Sequence, residues 1–180
     1  MTDGGLHMRT LALLLAGGFV LASCGSNDVT VAETADGKVT RSQDGTMNIT
    51  TADGATATVV TEGGNLAASS AKVAASLPAH APFYPGAKVV STMTGSDGQG
   101  ATAAMVVLET RDPMDRVTAF YDDKIAASGV KEQMKMDQAE SATRILGETA
   151  GNGGTIIAIN DGGDSRTISI TAGGGERQGE

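Results

Sequence analysis

Three Asp-Gly pairs, Asp36-Gly37, Asp44-Gly45 and Asp53-Gly54, follow one another at intervals of eight or nine residues. Short runs containing Thr, Val and Ile separate them. Tight hairpin turns need positive φ at their central positions, and Asp-Gly between alternating runs supplies it. Residues 29–64 are therefore read as an antiparallel β-meander. Its main apolar positions are Val29, Val31, Val39, Met47, Ile49, Val59 and Val60, a thin set whose one greasy face requires cover from the rest of the chain. With 25 Gly, five aromatic residues and no Trp in 180 residues, the chain has few large core side chains and many turn formers, as expected of a small β-rich fold. A calcium reading of the Asp-Gly turns fails on spacing: each turn offers a single carboxylate, and the ion needs six to eight oxygens at one point.

Residues 65–81, in which Ala and Ser predominate and Pro78 ends the regular pattern, are read as a linker whose Ala-rich half can form a short helix. Residues 82–172 show a clearer pattern. KVVSTMTG and ATAAMVVLE form a hairpin about Ser96-Asp97-Gly98, with Ala104, Val106 and Leu108 on one face. A helix follows, capped by Asp112, with Pro113 in its first turn, Val117, Phe120, Tyr121 and Ile125 at helical spacing, and Gly129 as its left-handed terminator. Further strands follow in VKEQMKMD, ATRILGE, TIIAIN and SRTISITA, where Met134 with Met136 and Ile168 with Ile170 alternate toward a core. The predicted fold class is α+β: an antiparallel sheet with one packed helix in the order ββαββββ, preceded by the meander. Residues 173–180 are expected to be a disordered tail. The segments PFYPGAKV and LETRDPMDRVTAFYDDKIAASG resemble a recurrent small α+β domain of uncharacterised bacterial envelope proteins, a resemblance that covers residues 82–172. It implies a fold and supplies no catalytic residue; Val130 stands where those proteins often place a large aromatic.

The first 25 residues carry a different signal. Arg9 precedes a 12-residue apolar run from Leu11 to Ala22, too short to span a bilayer and suited to an export signal. The run leads into Leu21-Ala22-Ser23-Cys24, which resembles the lipobox of bacterial lipoproteins. The resemblance implies that Leu21, Ala22 and Ser23 are read by the signal peptidase and that residues 1–23 are removed. Cys24, the single cysteine, would become the acylated first residue of a 157-residue mature chain tethered by residues 24–28. The competing readings are an ordinary secretory signal cut after Gly25 and a cytosolic chain with a buried helix. The start codon is open between Met1 and Met8. Gly25 lacks the Asp that resembles an inner-membrane retention signal, so the implied location is the outer membrane, facing the periplasm.

A formal charge of −8 and a pI near 4.7 argue against nucleic acid, which requires a basic groove. His80 is the sole histidine after residue 23 and lies beside no Gly-x-Ser-x-Gly elbow. It is read as an exposed linker residue rather than a catalytic base, and no metal site or cofactor is expected. Asp122 and Asp123 are read as a solvated helix face, the glycine clusters as hairpin loops, and Met134 with Met136 as core. Phe83 and Tyr84 are either core or a candidate interaction surface. These residues point to a non-catalytic, lipid-anchored envelope module, whose partners would be the membrane and an envelope protein. The alternative is an envelope lipoprotein that binds a small apolar or peptide ligand, and a hydrolase built on His80 is a third reading.

Overall fold

A computed structural model of the protein describes residues 28–61, 65–98, 101–147 and 153–174. The elements in chain order are β1 (Asp28–Thr34), β2 (Gly37–Ser42), β3 (Met47–Thr51), β4 (Thr56–Thr61), α1 (Leu66–Ser76), β5 (Lys88–Ser96), β6 (Thr102–Thr110), α2 (Met114–Ser128), β7 (Glu132–Gln138), β8 (Ser141–Leu146), β9 (Thr155–Asp161) and β10 (Arg166–Gly174). All ten strands join one antiparallel sheet in the order β1-β2-β3-β4-β5-β6-β10-β9-β8-β7. The fold is α+β, with two helices rather than one. The chain walks from one edge to the middle, leaves through α2, enters again at the opposite edge and walks back. This path sets β10 beside β6, so strands far apart in sequence close the centre of the sheet.

The meander is continuous with the rest of the sheet, because β4 pairs with β5 from Thr56↔Ser96 to Thr61↔Ser91. Its turns use glycine for two different reasons. Gly45 and Gly54 have φ of 85° and 91°, and Asp44 Oδ1 accepts the Thr46 amide at 3.0 Å. Gly37 has no positive φ; a Cβ there would lie 2.6 Å from the Thr50 carbonyl oxygen, so close strand approach excludes a side chain. The turn chemistry expected at Asp36-Gly37 is thus replaced by a steric requirement.

Helix α1 occupies the predicted linker. Ala and Leu favour the helix, Val73 is fully buried, and Ser69 Oγ meets Thr92 Oγ1 of β5 at 2.5 Å. It ends where Pro78 forces the preceding Leu77 into extended geometry, ψ 143°. Helix α2 begins one residue later than its sequence signals imply: Pro113 is the N-cap, and no side chain caps the helix. Asp112 instead accepts the Tyr84 hydroxyl at 2.6 Å and pairs with Arg116 at 3.5 Å. Gly129 terminates the helix at φ 68°, as its position predicts.

Both helices lie on one face of the sheet. There the cross-strand row Val60↔Thr92↔Val106↔Ile170↔Ile157↔Arg144 is buried throughout, and Leu108↔Ile168↔Ile159↔Ala142 runs beside it. Val117, Tyr121 and Ile125 of α2 complete the core; each such side chain contributes about 1.5–3 kcal/mol on burial. Met134 and Met136 are not core. They are 47% and 43% exposed on β7, whose seven residues are all exposed, because the core row is completed at β8 and α2 packs against the opposite face of the sheet. At the other edge Val29 and Val31 are likewise exposed. Residues 173 and 174 belong to β10; the rest of the predicted tail lies outside the described residues.

Candidate functional site

A cleft of about 540 Å³ opens between the helix layer and one end of the sheet, a volume in the range of small-molecule sites. Its floor has a simple origin. The buried row through Val106, Ile170 and Ile157 carries large side chains, whereas two residues further along the strands the row is Thr94↔Ala104↔Ala172↔Thr155. Every member is small, so the sheet surface falls away from α1. Gly95, Gly153 and Gly173 extend this low floor to the rim. The opposite wall is Lys72 and Ser76 of α1 with Pro78 and His80 of the segment that follows.

The cleft is apolar at its base and studded with hydroxyls, from Ser76, Thr94, Ser96, Thr102 and Thr155, and Lys72 is the single permanent charge on its described lining. His80 is half-buried rather than exposed: its Nε2 lies 3.0 Å from Thr155 Oγ1. This contact, between residues 75 positions apart, ties the linker to β9 and closes one side of the cleft. A His-hydroxyl contact alone does not make an acylating pair, since the base needs an orienting partner. No carboxylate contacts the ring among the described residues.

Burial holds the His80 imidazole below its ordinary value of 6.5, because desolvation disfavours the cation. The unfolded chain therefore binds the proton at a higher pH than the folded one. His80 contributes stability that is complete above pH 6.5 and is lost as pH falls through the folded value. Thermal unfolding followed from pH 7.5 to 5 is expected to show a falling midpoint, and His80→Gln, which retains a group able to meet Thr155, is expected to flatten that part of the profile.

The aromatic residues lie elsewhere. Tyr84 is 5% exposed and packs edge-on against Phe120 at 5.1 Å, while Phe120 meets Tyr121 in the same way at 5.1 Å. Phe83 is half-buried against the hydrophobic core. Desolvation, reinforced by the Asp112 carboxylate, pushes the Tyr84 phenol up to about 12. None of the four rings lines the cleft. Leu21, Ala22, Ser23 and Cys24 lie outside the described residues.

A second polar cluster joins α2 to the β7 edge. Arg144, 2% exposed, gives its Nε to Asp122 Oδ1 at 2.7 Å and its Nη1 to Asp137 Oδ1 at 2.7 Å, while Lys135 Nζ reaches Asp122 Oδ2 at 2.7 Å. Asp122 is thus the buried arginine's partner, and only Asp123 matches the solvated face expected for the pair. Burial raises the Asp122 carboxyl, but the two cations outweigh that and hold it below the usual carboxylate value. Both Asp122 carboxylate oxygens are engaged by Arg144 and Lys135, so Asp122 serves as a structural anion that ties α2 to β7 and β8.

The sequence marks Ala104 as an inward position without pointing to a site, and the roles of Thr94, Thr155 and Ala172 emerge only from the folded sheet. The available signal was that the inward alternation of two strands ends on a small residue, Ala104 before Val106 and Ala172 after Ile170. Their neighbourhood depends on β10 pairing with both β6 and β9, which no local pattern encodes.

Among the described residues no helix is long and apolar enough to cross a membrane, and no three His, Cys, Asp or Glu side chains converge to hold a metal ion. No curated protein and no solved structure matches the chain. A family model described as START domain-like matches residues 89–179, from the second residue of β5 to beyond β10, and so includes the cleft floor but not α1 or His80. On that match, which spans half of the sequence, the chain belongs to the START domain-like family.

Proposed function

We propose that the protein is a non-catalytic, lipid-anchored envelope lipoprotein that binds a small ligand in the cleft beneath α1. The observation that carries this reading is the 540 Å³ cleft whose small-residue floor lies inside the family-matched segment. Membership of the START domain-like family supports a ligand-binding domain over a purely structural one. The apolar base fits the body of a small apolar or peptide-like ligand, and the hydroxyls at the rim fit its polar end. The tether reading rests on Leu21-Ala22-Ser23-Cys24, with the domain at the outer membrane on the periplasmic side.

Two experiments test the parts separately. Intact mass of the membrane-extracted chain is expected to begin at Cys24 with added acyl mass, absent in Cys24→Ala; an unacylated chain starting after Gly25 would remove the anchor. For the cleft, Thr94→Phe fills the half-exposed floor with a residue that strands accept. Long-chain acyl lipids are expected to raise the melting temperature of the wild type, since ligand at 100 times its Kd contributes about 2.7 kcal/mol, and to leave Thr94→Phe unmoved. Equal shifts in both proteins would place binding elsewhere.

A further inference from the structure

Five of the six described methionines, Met47, Met93, Met105, Met134 and Met136, share the sheet face that carries no helix. Strand register sets most of them in one line: Met47↔Val59↔Met93↔Met105↔Thr171↔Ile156↔Ile145↔Met134 crosses eight strands from β3 to β7 without a break. The flanking rows on this face hold Ile49, Ala57 and Ala103 on one side and Val107, Ala158 and Met136 on the other. Over those eight strands the three rows contain no charged side chain, although the whole chain carries −8; Arg41, opposite Met47, and the Lys88↔Glu109 pair border the patch on the same face. Met93, Met134 and Ile156 are each about two-fifths exposed or more.

We infer that this face is the interface of a homodimer, in which two copies pack sheet on sheet about a twofold axis. Eight strands about 4.8 Å apart and three side-chain rows about 7 Å apart make a patch about 34 Å long and about 20 Å wide. That is on the order of 700 Å² per copy, close to the ~800 Å² per partner of a stable interface. Two identical sheets twist in the same sense, so their faces pack aligned at about 30° with side chains interdigitating. Methionine suits this role because its unbranched side chain fills the gaps left between two copies of one surface. Charge selects the same partner: two acidic copies repel over most orientations, and the charge-free face lets them meet without opposing carboxylates. A bilayer is a poorer occupant, since the patch contains no Trp or Tyr, and the basic residues of this face, Arg41 and Lys88, lie only at its margins, Lys88 opposite Glu109.

Sedimentation equilibrium of the full chain in density-matched detergent is expected to give twice the chain mass. The pair Met93→Lys/Met105→Lys is expected to weaken association at least 100-fold while leaving the helical circular dichroism melt in place, because both side chains point away from the core. Should that variant fold poorly, bis-maleimide treatment of membranes is expected to trap a homodimer from Met105→Cys, near the middle of the face, and not from Asp123→Cys on the helix side. A wild-type monomer, a dimer insensitive to the Lys pair, or equal trapping at both cysteines would overturn the inference. A monomer whose binding to neutral phosphatidylcholine vesicles is abolished by the Lys pair would overturn it too and assign the face to lipid. None of these outcomes depends on the cleft.

Discussion

Tyr121→Ala is expected to lower the free energy of unfolding by about 3–5 kcal/mol, the range for deleting a fully buried aromatic ring. Domains of this size are stable by only about 5–15 kcal/mol in total, so the variant is expected to unfold at a much lower urea concentration or to fail to accumulate. Tyr121 is fully buried between α2 and the sheet, and its ring touches both Phe120 and Tyr84. Its hydroxyl donates to the Pro82 carbonyl at 3.3 Å, fixing the segment that leads from α1 into β5. That bond is long for an O–H donor, so Tyr121→Phe is expected to cost under ~1 kcal/mol. The contrast between the two variants, measured by urea denaturation, separates packing from hydrogen bonding. Equal losses in both would contradict the packing account.

The second large effect is expected at Asp122. Asp122→Ala leaves the Arg144 guanidinium, 2% exposed, with Asp137 as its remaining carboxylate. Stranding one member of a buried pair costs about 3–5 kcal/mol. Here Asp122 is itself a third exposed and Asp137 half exposed, so water offsets part of the loss and about 2–3 kcal/mol is expected. Arg144→Met in the Asp122→Ala background removes the stranded charge and is expected to return stability to within about 1 kcal/mol of the wild type. The Asp122 carboxyl is held below its unfolded value of 3.8. Its stabilisation is therefore present above pH 3.8 and is lost as pH falls through the folded value. The difference between wild type and Asp122→Ala is expected to narrow under acid; a difference that stays constant from pH 7 to 3 would show that the ion pair is not its source.

Much of the fold is legible in local sequence because the turns and periodicities are local. In the Asp44-Gly45 and Asp53-Gly54 turns the glycines adopt positive φ, Gly129 ends α2, and the alternation of Val106 with Leu108 and of Ile168 with Ile170 marks the buried face. Misreadings occur where neighbours from distant sequence decide. Met134 and Met136 alternate as core residues would, yet β7 is an edge strand, and its outward face meets no helix. Asp122 resembles a solvated helix residue until β8 delivers Arg144 beneath it. His80 sits in a proline-rich stretch that reads as open linker; its partner Thr155 arrives only because the returning strands place β9 next to β10. The cleft was hidden for the same reason. Small residues lack a pattern of their own, and four of them make a cavity floor only when four strands are laid side by side. Cys24 lies outside the described residues, and its proposed acylation rests on the sequence pattern Leu21-Ala22-Ser23-Cys24.

The central claim is that the cleft beneath α1 holds a ligand. Native mass spectrometry of the chain released from membranes in mild detergent, wild type beside Thr94→Phe, tests it most directly. The account predicts a non-covalent small-molecule adduct on the wild type that is missing from the variant, with covalent acylation at Cys24 unchanged between them. A wild type free of any adduct, or an adduct retained equally by the filled variant, would contradict it.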